Sequence, residues 1–173
     1  MLLENHNNAF ISNIIMDSIR ILILISKFEI KKSFKLNIEK IMLYDYYMKF
    51  PNTMIETNSL NIDIKYNFYE YYSFYHWKPV ISDYMRILKY LLSKDLIKRN
   101  LDKDKKEYYY EITDKGQNFI DQLSSNYKKV LDKISEFVKN NISIKKDSEV
   151  EQEILYKTNV INRFKGEENG EKI

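Results

Sequence analysis

Leu91-Leu92-Ser93-Lys94-Asp95-Leu96-Ile97-Lys98-Arg99, followed after a charged turn by Tyr108-Tyr109-Tyr110-Glu111-Ile112-Thr113-Asp114-Lys115-Gly116, is the stretch whose reading decides the fold. Its first half closes an amphipathic helix predicted from about Val80 to Asp95. There Val80, Ile81, Tyr84, Ile87, Leu88, Leu91 and Leu92 recur at i, i+3, i+4 and i+7. Leu96 to Asn100 reads as a short strand, and Asp102 to Lys106 as a turn. Tyr108, Tyr110 and Ile112 then alternate with Tyr109 and Glu111, the period of a strand buried on one face. Helix, hairpin with a charged tip, then helix is the predicted order. Thr113 supplies the oxygen that the free amides of the next helix need.

Upstream, Asn8 to Lys27 reads as a helix. Ile11, Ile14, Ile15, Ser18, Leu22 and Ile25 form its stripe, and Phe10, Ile21, Leu24 and Phe28 widen it. A helix apolar over so much of its circumference is buried on more than one side, inside the domain or against another chain. A second helix is expected from Ile38 to Phe50, with Asn37 as its N-cap and Pro51 stopping it. Asn52 to Asp63 reads as a polar loop, and the aromatic run from Tyr66 to Trp77 as a short helix or irregular segment. Pro79 suits the first turn of the helix that follows.

Downstream, Phe119, Ile120, Leu123, Tyr127, Val130, Leu131, Ile134, Phe137 and Val138 predict one long helix over 114–141. Beyond Asn141 the chain turns polar. The expectation is a domain over 1–141 and a polar tail over 142–173, with a short amphipathic helix from Glu151 to Phe164 and disorder after it. The fold class expected is mainly α with a small β-hairpin. The element order is that of a winged helix-turn-helix with an extra N-terminal helix and a long C-terminal helix. Tyr110-x-x-Thr113-x-x-Gly116 resembles the phrase at which the wing of many such proteins runs into the next helix.

The composition narrows the function classes. In 173 residues there are 15 Tyr, nine Phe and one Trp, so aromatic rings carry much of the burial and suit interfaces. An AT-rich genome would give the same abundance of Tyr, Lys, Ile and Asn. No Cys is present, which rules out disulfides and thiolate metal sites. Neither a basic, cleavable start nor a run of bilayer length occurs, so the cytoplasm is expected. His6 and His76 are far apart, no Gly-rich phosphate loop occurs, and no nucleophile stands beside a base. A non-enzymatic protein without a cofactor or metal follows, and His76 between Tyr75 and Trp77 reads as packing. Net charge is only +3, so nucleic-acid contact is allowed but not demanded. Its candidates are Lys98, Arg99, Lys103, Lys105 and Lys106 in the hairpin. Asp83 and Asp95 on the preceding helix weaken that reading, because they would face phosphate. A solvated face without any nucleic-acid role accounts for the same charges.

Three further stretches carry a family resemblance over roughly residues 8–140. Leu36-Asn37-Ile38-Glu39-Lys40-Ile41-Met42-Leu43-Tyr44-Asp45-Tyr46 resembles an apolar helix ending in an Asp-Tyr pair. Ile87-Leu88-Lys89-Tyr90-Leu91-Leu92-Ser93-Lys94-Asp95-Leu96-Ile97 resembles a Leu-rich helix ending Ser-Arg-Gly-Leu, and Phe119 to Tyr127 a Phe-Leu-x-x-Leu-x-Ser-x-Tyr helix. All three are similar to the small middle component of Lamassu-type, or ABC-three-component, antiphage defence systems. Asp95 stands where that family has Gly, and residues 52–78 lack its Ser-Leu-His-Pro-like phrase. The resemblance implies a non-catalytic subunit that sits with an SMC-like ATPase and an effector, often a nuclease, and restrains the effector. ATP and Mg²⁺ would belong to the ATPase, and DNA would be met through the complex. Phe68, Tyr69, Tyr71, Tyr72, Phe74, Tyr75 and Trp77 are then the candidate partner interface. The same residues could instead fill the domain's own core. The alternative function is a homodimeric winged-helix transcription regulator, paired through the long helix over 114–141.

Overall fold

The computed structural model describes residues 2–29, 31, 33–56, 59, 60, 64 and 68–159, with 2–13, 68 and 69 as backbone. The first helix, α1 (Leu2–Ser26), is its axis. Ile21 to Ile25 are five consecutive residues without meaningful exposure. A helix can bury every side of itself only when other elements surround it. Here α2 (Ile38–Lys49), α5 (Ile81–Ser93), β2 (Glu107–Ile112), α6 (Asp114–Asp121) and α7 (Asn126–Phe137) all pack on it.

Asn37 caps α2, its side-chain oxygen accepting the Lys40 amide at 3.0 Å. Pro51 ends α2 as expected and also starts α3 (Pro51–Met54), where its missing N–H costs nothing. The aromatic run folds as a helical turn, α4 (Phe68–Tyr71), and a 3₁₀ turn over Ser73–His76.

The C-terminal end of α5 shows why Asp95 can stand where glycine is favoured. Asp95 has φ of +56°, the left-handed conformation. Its amide donates to the Leu92 carbonyl at 3.0 Å, and the Leu96 amide donates to the Leu91 carbonyl at 3.1 Å. Those two bonds close a Schellman motif, which turns the chain out of α5 and into β1 (Ile97–Asp102). β1 pairs antiparallel with β2, from Ile97 opposite Ile112 to Asp102 opposite Glu107. The residues before α2 add a short third pairing. Asn37 bridges to Tyr109, and the Tyr110 amide donates to the Leu36 carbonyl at 3.0 Å.

Thr113 caps α6 as expected, accepting the Gly116 amide at 3.0 Å while its hydroxyl donates to the Asp95 carbonyl at 2.6 Å. Gly116 is required by close approach. A Cβ there would lie 2.1 Å from the Leu96 carbonyl oxygen, so no larger residue fits between α6 and the start of the hairpin.

One expectation is corrected. Residues 114–141 do not form one long helix, and the long C-terminal helix of the expected fold class is absent from the described residues. The helix stops at Asp121, and α7 starts afresh at Asn126 and runs into a π turn over Val138–Ile142. Ser125 causes the restart, its hydroxyl accepting the Lys128 amide at 3.1 Å. A serine that bonds the backbone locally competes with helix continuation, while the apolar stripe runs on because both pieces bury the same side.

The last described helix, α8 (Asp147–Lys157), begins earlier than the expected Glu151, and residues 160–173 lie outside the described set. Glu149 reaches back to accept the Lys146 amide at 3.1 Å, which starts the helix there. Val150 and Ile154 are buried in the same apolar cluster as α1 and α2. Lys40 pairs with Asp147, and Lys157 donates to the Met54 carbonyl, fastening α8 onto α2 and α3.

Candidate functional site

The aromatic run is held from below by polar groups. Glu70 is buried at the open N-terminal end of α3. Its Oε1 accepts the Asn52 amide at 3.0 Å. Its Oε2 accepts the Thr53 amide at 3.1 Å and the Thr53 hydroxyl at 2.7 Å. A carboxylate there satisfies free amides and meets the positive end of the helix. The Tyr46 hydroxyl donates to the Ser73 carbonyl at 2.6 Å, and the His76 ring stacks on Phe50 at 5.7 Å. His76 is thus engaged in packing.

On that base the rings divide. Tyr71 and Tyr75 are 59% and 66% exposed, and Tyr72 is exposed as well. They form a ladder, with Tyr71 edge-on to Tyr72 at 5.4 Å, Tyr72 beside Tyr75 at 6.1 Å, and Phe74 against Tyr75 at 4.0 Å. Trp77 is half-buried and leans on the core. The side chains of Phe68 and Tyr69 lie outside the described residues. The expected set thus splits into an outward ladder and an inward anchor.

Beside the ladder is a cleft of about 350 Å³, reached by Tyr75, His76, Lys49 and Tyr84. Two of its lining residues, Lys49 and Tyr84, belong to a buried polar cluster that was not foreseen from the sequence. Asp45 is fully buried, and every direction around its carboxylate is occupied. Arg20 Nε lies 2.7 Å from Oδ1. The Tyr84 hydroxyl donates to Oδ2 at 2.7 Å, and Lys49 Nζ lies 3.3 Å from the same oxygen. Burial pushes the Asp45 carboxyl up, but the Arg20 and Lys49 charges outweigh it and hold the group below its usual range. Burial, and then the Asp45 charge, push the Tyr84 phenol well above its ordinary value. The carboxylate is thus buried and held by Arg20, Tyr84 and Lys49 together. The cluster joins α1, α2 and α5, and its signal in the sequence was Asp17 and Arg20 interrupting the apolar stripe.

The hairpin cations do not share one face. The strand register places Arg99 beside Tyr108 and Tyr110, with its guanidinium 4.2 Å from the Tyr108 ring centre. Lys98 points to the opposite face, where it meets Glu111 at 2.6 Å. Lys105 lies 3.9 Å from Glu107, and Lys103 and Lys106 are exposed in the turn. Leu101 and Tyr108, opposite each other, are both exposed. The outer side of α5 carries exposed Ile81 and Met85 next to the Asp83–Arg86 pair at 3.0 Å. Base readout would need polar groups at those positions.

Among the described residues, no group of three or more His, Cys, Asp or Glu could hold a metal ion. No described helix is long and apolar enough to cross a membrane. A family model described as "ABC-three component (ABC-3C) system Middle Component 2" matches residues 12–163. No curated protein matches the chain, and neither does any solved structure.

Proposed function

The chain belongs to the Middle Component 2 family of ABC-three-component systems and works with the other components of the same system. From that premise we propose that it is a non-catalytic accessory subunit of a Lamassu-type antiphage defence complex in the cytoplasm. It bridges an SMC-like ATPase and an effector, a nuclease, and restrains the effector until the ATPase signals. ATP and Mg²⁺ are bound by the ATPase, and this chain meets DNA only through the assembly.

The observation that carries the reading is the ladder of Tyr71, Tyr72 and Tyr75, exposed yet fixed by the buried Glu70 beneath it. Large aromatic side chains held rigidly in water lose little entropy on binding and dominate protein interfaces. The buried titratable cluster around Asp45 supports a structural role for the polar core, since each of its groups is already paired. The winged helix-turn-helix reading of the fold is supported by the third pairing of Leu36 and Asn37 against β2, between the first two core helices and the hairpin. The wing then acts as a spacer or protein contact, consistent with its Leu101–Tyr108 pair. A homodimeric regulator would need another dimer element, because residues 122–125 interrupt the helix assigned to it.

The test is co-expression of the tagged chain with the other components of its system, followed by the mass of the intact assembly. One complex containing both partners is the expected result. A lone homodimer that binds its own promoter would overturn the proposal.

A further inference from the structure

A second surface lies on a different face of α1 from the cleft beside the ladder. α1 presents Ile15, Ser18, Ile19 and Leu22 to a groove whose other walls are Tyr90 and Leu91 at the end of α5, Leu96, and Phe119 on α6. It has a volume of about 260 Å³ and shares no lining residue with the cleft beside the ladder. Ile15, its neighbour Met16 and Phe119 are exposed although they are apolar. One polar atom stands out in this wall. The Ser18 hydroxyl is buried and has no hydrogen-bond partner. A buried hydroxyl without a partner is costly, so the fold leaves one hydrogen bond to be made here. Lys94, whose Nζ lies 5.8 Å from the Tyr90 ring centre, and Lys115 complete the lining. The nearest acid, Asp95, is almost fully exposed and 3.9 Å from Lys115, a separation at which water screens most of the attraction.

We propose that this groove is a docking site for an acidic amphipathic helix of another component of the system. Apolar side chains of that helix would fill the groove between Ile19, Leu91 and Phe119. A polar group of its backbone or side chain would pair with Ser18, and its carboxylates would meet Lys94 and Lys115. This is the helix-in-groove mode of recognition, read as anchors at i, i+3 or i+4, and i+7. The acidic helix of a second copy is not free to fill the groove. α8 is acidic, but its Val150 and Ile154 are already buried, and α6 and α7 bury their apolar faces in the core. The inference rests on the accessory-subunit reading and adds to it the second face that a bridge requires.

The test uses the full chain with both other components of its system. A Lys94→Glu/Lys115→Glu variant and an Ile15→Glu variant, each checked for an unchanged melting curve, are compared with the unaltered chain in capture assays. A photo-crosslinking residue at Phe119 maps the occupant. Capture of one component is expected to weaken at least tenfold in both variants while the other is retained. The crosslink is expected in an acidic, amphipathic segment of the lost component. Unchanged capture of both components overturns the groove alone. So does a crosslink to a basic segment, to a second copy, or to residues 160–173 of the same chain. If the unaltered chain captures neither component, the accessory-subunit reading falls, and the groove assignment with it.

Discussion

The Arg20 guanidinium on α1 and the Asp45 carboxylate on α2 meet in a buried two-pronged ion pair, with Nε to Oδ1 at 2.7 Å and Nη2 to Oδ2 at 3.3 Å. Arg20 also holds Asp17 at 2.7 Å, and Asp45 also takes the Tyr84 hydroxyl from α5. Three helices are thereby locked in one relative orientation. A buried pair adds little net stability, because desolvation offsets attraction, but breaking one side of it is severe. Asp45→Ala should therefore destabilise the chain by about 3–5 kcal/mol. Arg20→Met combined with Asp45→Leu should cost less than either single substitution. Urea unfolding of the three variants measures the ordering directly.

The same carboxylate sets the response to acid. Asp45 sits below its usual range in the folded chain, so its stabilising contribution is present above the unfolded carboxylate value and is lost as pH falls from there through the lower folded value. Asp132 follows suit: burial raises it, but Lys128 and Lys27 bring it down. At Glu153, burial is likewise overcome by Lys145 and Lys157. The urea midpoint should hold steady near neutrality and drop below roughly pH 4. The Asp45→Asn chain should start lower and lose less over the same interval.

Asp95 ends α5 in the left-handed conformation that favours glycine, with φ of +56°, as Asn159 does after α8 with φ of +55°. A side chain in that conformation costs on the order of 1 kcal/mol relative to glycine, somewhat less for Asp and Asn. Asp95→Gly should therefore stabilise the chain and raise its melting temperature by roughly 2–4 °C. Asp95→Ala should lower it. A thermal melt of both variants checks the sign of each.

Glu70 supports the tyrosine ladder through bonds to Asn52 and Thr53. Glu70→Ala removes charged hydrogen bonds worth about 1.5–3 kcal/mol each before relaxation, and leaves the first amides of α3 unpaired. Amide hydrogen exchange over 68–77 should accelerate by at least tenfold. Exchange in α7 should change far less.

Much of the architecture was legible because it rests on periodic burial and local capping. Asn37 and Thr113 were readable as caps from residue type and position, and both accept the expected amides. The hairpin was readable from two short runs around a charged turn, but the expected inward alternation holds only in part, since Tyr110 is buried while Tyr108 is exposed. The break at 122–125 was hidden because the apolar stripe continues unchanged across it, and only the Ser125 cap reveals the restart. The aromatic run showed a different limit. Seven rings of one chemical class were equally eligible as core or as interface, and what separates Trp77 from Tyr71 and Tyr75 is tertiary packing against the core. The Arg20–Asp45 contact joins residues far apart in the chain, and a charge inside an apolar stripe does not name its partner.

The division of those rings supplies the most direct test. Tyr71 and Tyr75 project into water, while Trp77 rests on the core. The measurement is the affinity of the folded chain for the ATPase proposed as its partner, by calorimetric titration, for a Tyr71→Ala/Tyr75→Ala variant and for Trp77→Ala. Losing one interface anchor costs about 2 kcal/mol or more, so with even one of the two tyrosines acting as an anchor the double variant should bind at least about thirtyfold more weakly with its melting temperature unchanged. Trp77→Ala should mainly lower the melting temperature. Unaltered affinity in a folded Tyr71→Ala/Tyr75→Ala chain would contradict the account, because the ladder would then be ordinary surface and the partner would bind elsewhere.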